Sequence, residues 1–230
     1  MWKIFRQVRL HNDDTCLLCR APAREPGLCV DCLAELPRLT SACPRCALPL
    51  ETAETGLCGE CLSSPPPFDA TFASFRYADP IDQLVTGLKY RGHLPAARLL
   101  AGLLAERVAE RRVDLLIPMP LHPSRLQQRG FNQAAELCRV LAKRGGLAWS
   151  TSKLVRTHAG PSQRESNRRE RVRNVRHAFK WAGDRPCPAR VALVDDVLTT
   201  GATARAAAAT LKQAGAEWVE VWAVARTPKG

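Results

Sequence analysis

The chain has 230 residues, 46% of them hydrophobic, and a formal net charge of +12 at pH 7. That is enough for one ordinary core plus a small appendage, and it excludes a chain too polar to fold around a core. No stretch approaches the ~20 continuous apolar residues of a membrane span, and the start, Met1-Trp2-Lys3-Ile4-Phe5-Arg6, lacks the apolar core of a secretion signal, so a cytoplasmic protein is expected.

The charge is unevenly placed. Residues 1–61 carry a net −1 and residues 62–230 a net +13, so the larger part is the one suited to polyphosphates or nucleic acid. Eight of the ten cysteines lie in the first part, as four C-x-x-C pairs: Cys16/Cys19, Cys29/Cys32, Cys43/Cys46 and Cys58/Cys61. Each pair is a knuckle that aims two thiolates at one tetrahedral metal, and two pairs complete a site. Structural Zn²⁺ at two four-cysteine sites is the expectation. Disulfides are disfavoured in a reducing compartment, and an iron–sulfur cluster is a further option. Sequential pairing is the simpler arrangement; a cross-braced one stays open. Few large apolar residues fall here, so metal binding, ~10–16 kcal/mol for structural zinc, would fold the module. All ligands are Cys, which points to structure or partner contact and away from catalysis. Cys138, beside Leu137 and Leu141, reads as core, and Cys187 carries no assignment.

Residues 1–62 are thus read as a zinc module, Ser63-Ser64-Pro65-Pro66-Pro67 as a stiff linker, and residues 68–230 as the large domain. Phe68 to Tyr77 is β-like. Pro80 opens a helix with Ile81, Leu84, Val85 and Leu88 on one face, ending at Lys89-Tyr90-Arg91-Gly92. A second helix runs from about Pro95 to Arg111. Asp114 to His122 is a strand leaving into a rigid loop, and Gly130-Phe131-Asn132-Gln133 opens a helix through Leu141. Arg125 and Arg129 beside that loop mark an anion site. His122 either titrates near neutrality there or is a solvated side chain. Ser162 and Glu165 form a capping box, and the helix they start carries Arg164, Arg168 and Arg171 on one face. Arginine forks suit phosphates, although a charge run is usually a solvated face.

Val191-Ala192-Leu193-Val194 reads as a buried parallel strand, and Asp195 and Asp196 follow it. Then come Thr199, Thr200, Gly201, Ala202 and Thr203, and an alanine-rich helix over 204–214 that Gly215 terminates. The loop amides open the helix and suit an anion, and Gly201 lets the backbone approach it. Two carboxylates would repel a phosphate unless they hold ribose hydroxyls or Mg²⁺ on the same ligand. A sugar carrying a phosphate satisfies both halves.

This run resembles the phosphoribosyl pyrophosphate (PRPP) signature of type I phosphoribosyltransferases. The wider set of motifs resembles the ComF family (competence protein F, GntX-like) over nearly the whole chain. Those motifs are Lys89-Tyr90-Arg91-Gly92, Pro118-Met119-Pro120-Leu121-His122, Arg129-Gly130-Phe131-Asn132-Gln133, and Gln163, Arg171, Asn174 and Phe179. The resemblance implies an α/β fold, a type I phosphoribosyltransferase-like parallel sheet flanked by helices behind an N-terminal zinc module. It implies that Asp195 and Asp196 hold the ribose, that residues 199–203 hold the 5-phosphate, and that Lys89, His122, Arg125 and Arg129 serve the phosphates, with Mg²⁺ on PRPP. Residues 163–174 would be a mobile cover. The family is linked to DNA uptake, so single-stranded DNA on Arg164, Arg168 and Arg171, and the DNA-uptake machinery, are the implied partners. Two functions follow as alternatives: strand handling in a PRPP-binding fold, or phosphoribosyl transfer to a nitrogen acceptor.

Overall fold

The computed structural model describes residues 15–23, 27–50, 56–91, 94–157 and 178–229. The chain divides into two compact units, Met1–Leu36 and Pro37–Gly230. The first unit holds Cys16, Cys19, Cys29 and Cys32 and a short helix, α1 (Val30–Ala34). Cys29 is its N-cap, and the Cys29 Sγ accepts from the Cys32 N–H at 3.5 Å.

The second unit is built on a four-stranded parallel sheet. Its order is β1 (Ala70–Arg76), β6 (Trp218–Arg226), β5 (Arg190–Leu198), β2 (Leu115–Pro118). β5 and β6 fill the middle, so Val191 to Val194 and Val221 to Ala225 are buried without alternation, as a sheet covered on both faces demands. The sequence pattern does not announce β6, because Glu220 interrupts its apolar run. Glu220 is fully buried. Its Oε1 accepts from Arg111 Nη2 (2.8 Å) and Trp218 Nε1 (2.9 Å), and its Oε2 from Trp222 Nε1 (2.8 Å). Burying an unpaired charge costs several kcal/mol, and these donors offset that.

Helix α7 (Ala202–Gln213) covers one face. Ala204, Ala207, Ala208 and Leu211 pack with Val191, Leu193, Val219 and Val221. Its alanines supply helix propensity and a flat, low contact surface together. Helices α4 (Leu94–Arg107) and α6 (Gln133–Gly145) touch each other and cover the other face, where Ala105, Val108, Leu141 and Trp222 line one cavity. Helix α3 (Ile81–Arg91) packs on α4, and the short α5 (Pro123–Arg129) follows β2. A separate antiparallel pair joins β3 (Leu154–Arg156) to β4 (Phe179–Trp181). The expected parallel α/β fold with a cysteine module is therefore present.

The compact units part at Leu36 and Pro37, whereas the proline run predicts a linker at 63–67. Residues 37–50 are hydrogen-bonded onto β1, and helix α2 (Gly59–Ser63) belongs to the same unit. Leu39 N–H donates to Ser74 O (2.9 Å), Arg76 N–H to Pro37 O (2.8 Å), and Thr71 Oγ1 to Arg45 O (2.7 Å). The second group of cysteines thus belongs to the sheet unit.

Candidate functional site

Ligands of parallel sheets sit beyond the carboxyl ends of the strands. Here a cleft of about 170 Å³ opens where β2 and β5 end. The apolar run in the sequence ends the strand at Val194 and puts the two acids beyond it. The structure corrects this. β6 pairs with β5 as far as Leu198↔Arg226, so Asp195 and Asp196 lie inside the strand. Each carboxylate turns back on the next amide: Asp195 Oδ1 accepts from the Asp196 N–H at 2.9 Å, and Asp196 Oδ1 from the Val197 N–H at 2.7 Å.

Lys89, near the end of α3, reaches Asp196 Oδ2 with its Nζ at 3.3 Å. It therefore does more than complement its own helix. Arg125 and Arg129 from α5 line the same cleft, as does Thr203 from the first turn of α7. Asp195 keeps some solvent contact, yet burial, and then the Asp196 charge, hold its carboxyl above the usual carboxylate range; Lys89 and Arg156 oppose this only in part. Two adjacent acids within one strand do not both ionise freely, unless a cation or hydroxyls join them.

Three lining residues carry no assignment from sequence alone: Arg156, Asn132 and Gln133. Arg156 is at the end of β3, and burial, with the Arg125 charge, lowers its pKa. Asn132 caps α6, its Oδ1 accepting from the Ala134 N–H at 3.0 Å, while its Nδ2 donates to Met119 O at 3.1 Å. It thereby ties the loop after β2 to the helix. Gln133 is 2% exposed, and its Nε2 is the one buried side-chain polar atom without a partner among the described residues. A buried donor left unpaired costs about 1–3 kcal/mol. The R-G-F-N-Q motif draws the eye to Gln133, but only the fold shows it on the cleft.

His122 is placed differently. Its Nδ1 accepts from the Ser124 N–H at 3.2 Å and caps α5, and it is not among the cleft-lining residues. Thr199 and Thr200 are exposed in the turn between β5 and α7, and Gly201 there has φ +75°, which only glycine adopts without strain. Ala202 begins α7, its N–H 3.4 Å from Thr200 Oγ1. Arg164, Arg168 and Arg171 lie outside the described residues, as do Gln163 and Asn174.

The eight cysteines form two groups, Cys16/Cys19/Cys29/Cys32 and Cys43/Cys46/Cys58/Cys61, in each of which the Sγ atoms lie within 4.8 Å of one another. The pairing is sequential. Four thiol donors at such spacing fit one tetrahedral Zn²⁺. Backbone amides face the sulfurs as well. Burial raises the Cys43 thiol, but the N–H groups of Cys58, Cys46 and Arg45 outweigh it and bring the thiol down to about 7. That favours the thiolate at Cys43, while burial and the neighbouring sulfurs push the Cys46 and Cys61 thiols up.

Residues 13–62 match the Double zinc ribbon domain model. Over 223 residues the chain is 36% identical to DNA utilization protein YhgH of Salmonella typhimurium, covering 92% of this chain and 96% of that protein. It is 32% identical over 222 residues to Competence protein F of Haemophilus influenzae, with the same coverages. The chain belongs to the ComF family. Among solved structures, the glutamine PRPP amidotransferase of B. subtilis overlays at TM-score 0.38 and 21% identity, over 53% of this ComF chain and 24% of that one. That overlay is loose and spans about a quarter of the enzyme's length. The strand order and the full-length relatives carry the assignment, and the two four-cysteine sites are its zinc ribbons.

Proposed function

We propose that the cleft of this ComF chain binds PRPP, or a related sugar phosphate, together with Mg²⁺. The observation that carries this reading is the meeting of unlike charges at one strand end. Asp195 and Asp196 stand beside Lys89, Arg125, Arg129 and Arg156, with the 199–203 turn next along the chain. Neither a simple anion site nor a simple cation site needs both. In this reading the acids accept hydrogen bonds from the ribose 2- and 3-hydroxyls. The turn amides and threonine hydroxyls hold the 5-phosphate, where the dipole of α7 adds to them. The four cations and the Gln133 Nε2 face the diphosphate.

Should a nitrogen acceptor enter, its lone pair forms the new bond to C1 of the ribose. The C1–O bond to the diphosphate breaks, and pyrophosphate leaves with both electrons of that bond. Charge at C1 becomes positive as it goes, so fixed acids and positioning matter more than a strong base. Asp195 and Asp196 would help hold a Mg²⁺ that arrives with the substrate, and such an ion would supply charge neutralisation for the leaving group.

Isothermal calorimetry tests the site. Wild-type protein is expected to bind Mg–PRPP, and the Asp195→Asn/Asp196→Asn double variant to lose about 1.5–3 kcal/mol for each charged hydrogen bond removed. Equal affinity of both proteins would sink the assignment.

The relatives' names favour a second reading, in which the bound sugar phosphate serves strand handling. Competition between Mg–PRPP and single-stranded DNA would place both in one groove. Pyrophosphate release in the presence of a nitrogen acceptor would favour transfer.

A further inference from the structure

One heavily hydrogen-bonded cation of the sheet unit is outside the cleft. Arg226 ends β6 and is 7% exposed. Its Nε donates to Cys46 O at 3.0 Å. Its Nη1 donates to Leu198 O and Thr227 O, each at 3.0 Å, and to Thr199 O. Nη1 also lies 3.3 Å from Thr227 Oγ1; the other acceptors are all backbone carbonyls. Cys46 is a ligand of the second zinc ribbon, Leu198 is the last residue of β5, and Thr199 opens the turn. One buried guanidinium therefore joins a zinc knuckle to the start of the phosphate turn.

A second arginine joins the same two places on the far side. Arg205, in the first turn of α7, donates Nη2 to Glu60 Oε1 and Nη1 to Ser64 O, both at 3.2 Å. Glu60 lies in α2 between the ligands Cys58 and Cys61. The turn 199–203 is thus flanked by Arg226 before it and Arg205 after it; the first tie ends on the ligand Cys46 and the second on α2, whose Glu60 lies between the ligands Cys58 and Cys61.

The entrance tie also sets direction. A trans peptide is planar, with its C=O and N–H opposed. When Arg226 holds the Leu198 and Thr199 carbonyls, the N–H groups of Thr199 and Thr200 must point away from it. Aiming these amides is what an anion-binding turn requires.

We infer that Arg226 is a positioning residue for the 199–203 turn, and that through it the second zinc ribbon, Cys43/Cys46/Cys58/Cys61, supports phosphate binding. This rests on reading the turn as the 5-phosphate site. Without metal the knuckle loses its fixed shape, and the Cys46 carbonyl drifts. Arg226 then loses an acceptor where water cannot replace it, and its hold on the turn slackens. Such a coupling is reciprocal: ligand at the turn must tighten metal at the ribbon by the same factor.

The test uses the full chain. Zinc is withdrawn by a chelator, and cysteine alkylation read by mass spectrometry reports which site has emptied. Loss of metal from the second ribbon is expected to weaken Mg–PRPP binding by about tenfold, within the usual range of such couplings. It is also expected to speed amide exchange in peptides covering 198–204. Saturating Mg–PRPP should slow alkylation of Cys43, Cys46, Cys58 and Cys61 by a similar factor. Arg226→Lys keeps the charge but not the fork, and should erase the reciprocity at unchanged zinc content. A variant merely weakened in fold would lower stability and leave the reciprocity in place. Should Arg226→Lys fail to fold, Arg205→Gln removes the exit tie from the surface and should reduce the coupling in part. Exchange over 198–204 that ignores zinc loss overturns the inference. Wild-type protein that binds no PRPP would remove the phosphate reading, and the exchange measurement would still decide whether ribbon and turn are joined.

Discussion

At Asp195 two physical demands collide. The strand needs an apolar interior, and the site needs charge. Burial and the neighbouring Asp196 push the Asp195 carboxyl up to about 8. The folded state therefore holds this proton more tightly than the unfolded chain does, and the group's stabilising share is complete at acid pH. That share is lost as pH rises from the ordinary carboxylate value of 3.8 through about 8. Asp195→Asn is therefore expected to raise the melting temperature of the ligand-free protein at pH 8 and to change it little at pH 4. Binding of Mg–PRPP below pH 8 should release a proton, because hydroxyls and Mg²⁺ both prefer the carboxylate. Calorimetry in buffers of different ionisation enthalpy counts that proton. Gln133 and Arg156 complete the residue scale. Their part in the cleft was illegible in sequence, since each reaches it only once α6 and β3 have been placed beside β5.

Among elements, the run from Val191 to Thr203 was the most legible, because strand, acids, glycine turn and helix are all consecutive. The strand's true end was not, since it is fixed by its β6 partner, 28 residues further on. The C-x-x-C pairs were equally plain as knuckles. What their spacing could not tell is that the second ribbon is stitched to β1, through backbone groups such as Leu39 N–H and Arg45 O that no side-chain pattern records. The ribbons should accordingly respond differently to damage. Cys16→Ser removes a ligand from the site in the unit Met1–Leu36. Native mass spectrometry is expected to show one zinc lost and one kept, with the thermal transition of the sheet unit preserved. Loss of both metals, or a collapsed sheet transition, would contradict that independence.

Across the whole molecule, the net +13 of residues 62–230 remains the broadest feature. Phosphate contacts release counterions, so binding to single-stranded DNA should weaken with salt at a log–log slope of about −0.7 per contact. Replacing Arg164, Arg168 and Arg171 by Ala should flatten that slope by about two units if all three touch phosphate. Wild-type protein that ignores single strands even at low salt would remove strand binding and leave small-molecule chemistry in front. Composition made this expectation readable; the partner's identity rests on neither charge nor fold, because basic surfaces attract any polyanion.

The buried Glu220, with its two indole donors, gives the sheet an optical signature of its own. Trp222 is 1% exposed and Trp149 is 38% exposed. Iodide in solution reaches exposed rings such as Trp149 and not Trp222, so among the chain's five tryptophans the emission that resists quenching is weighted toward the buried ring. Light from the protected ring then reports the centre of the sheet, at β6, the strand whose far end carries Arg226.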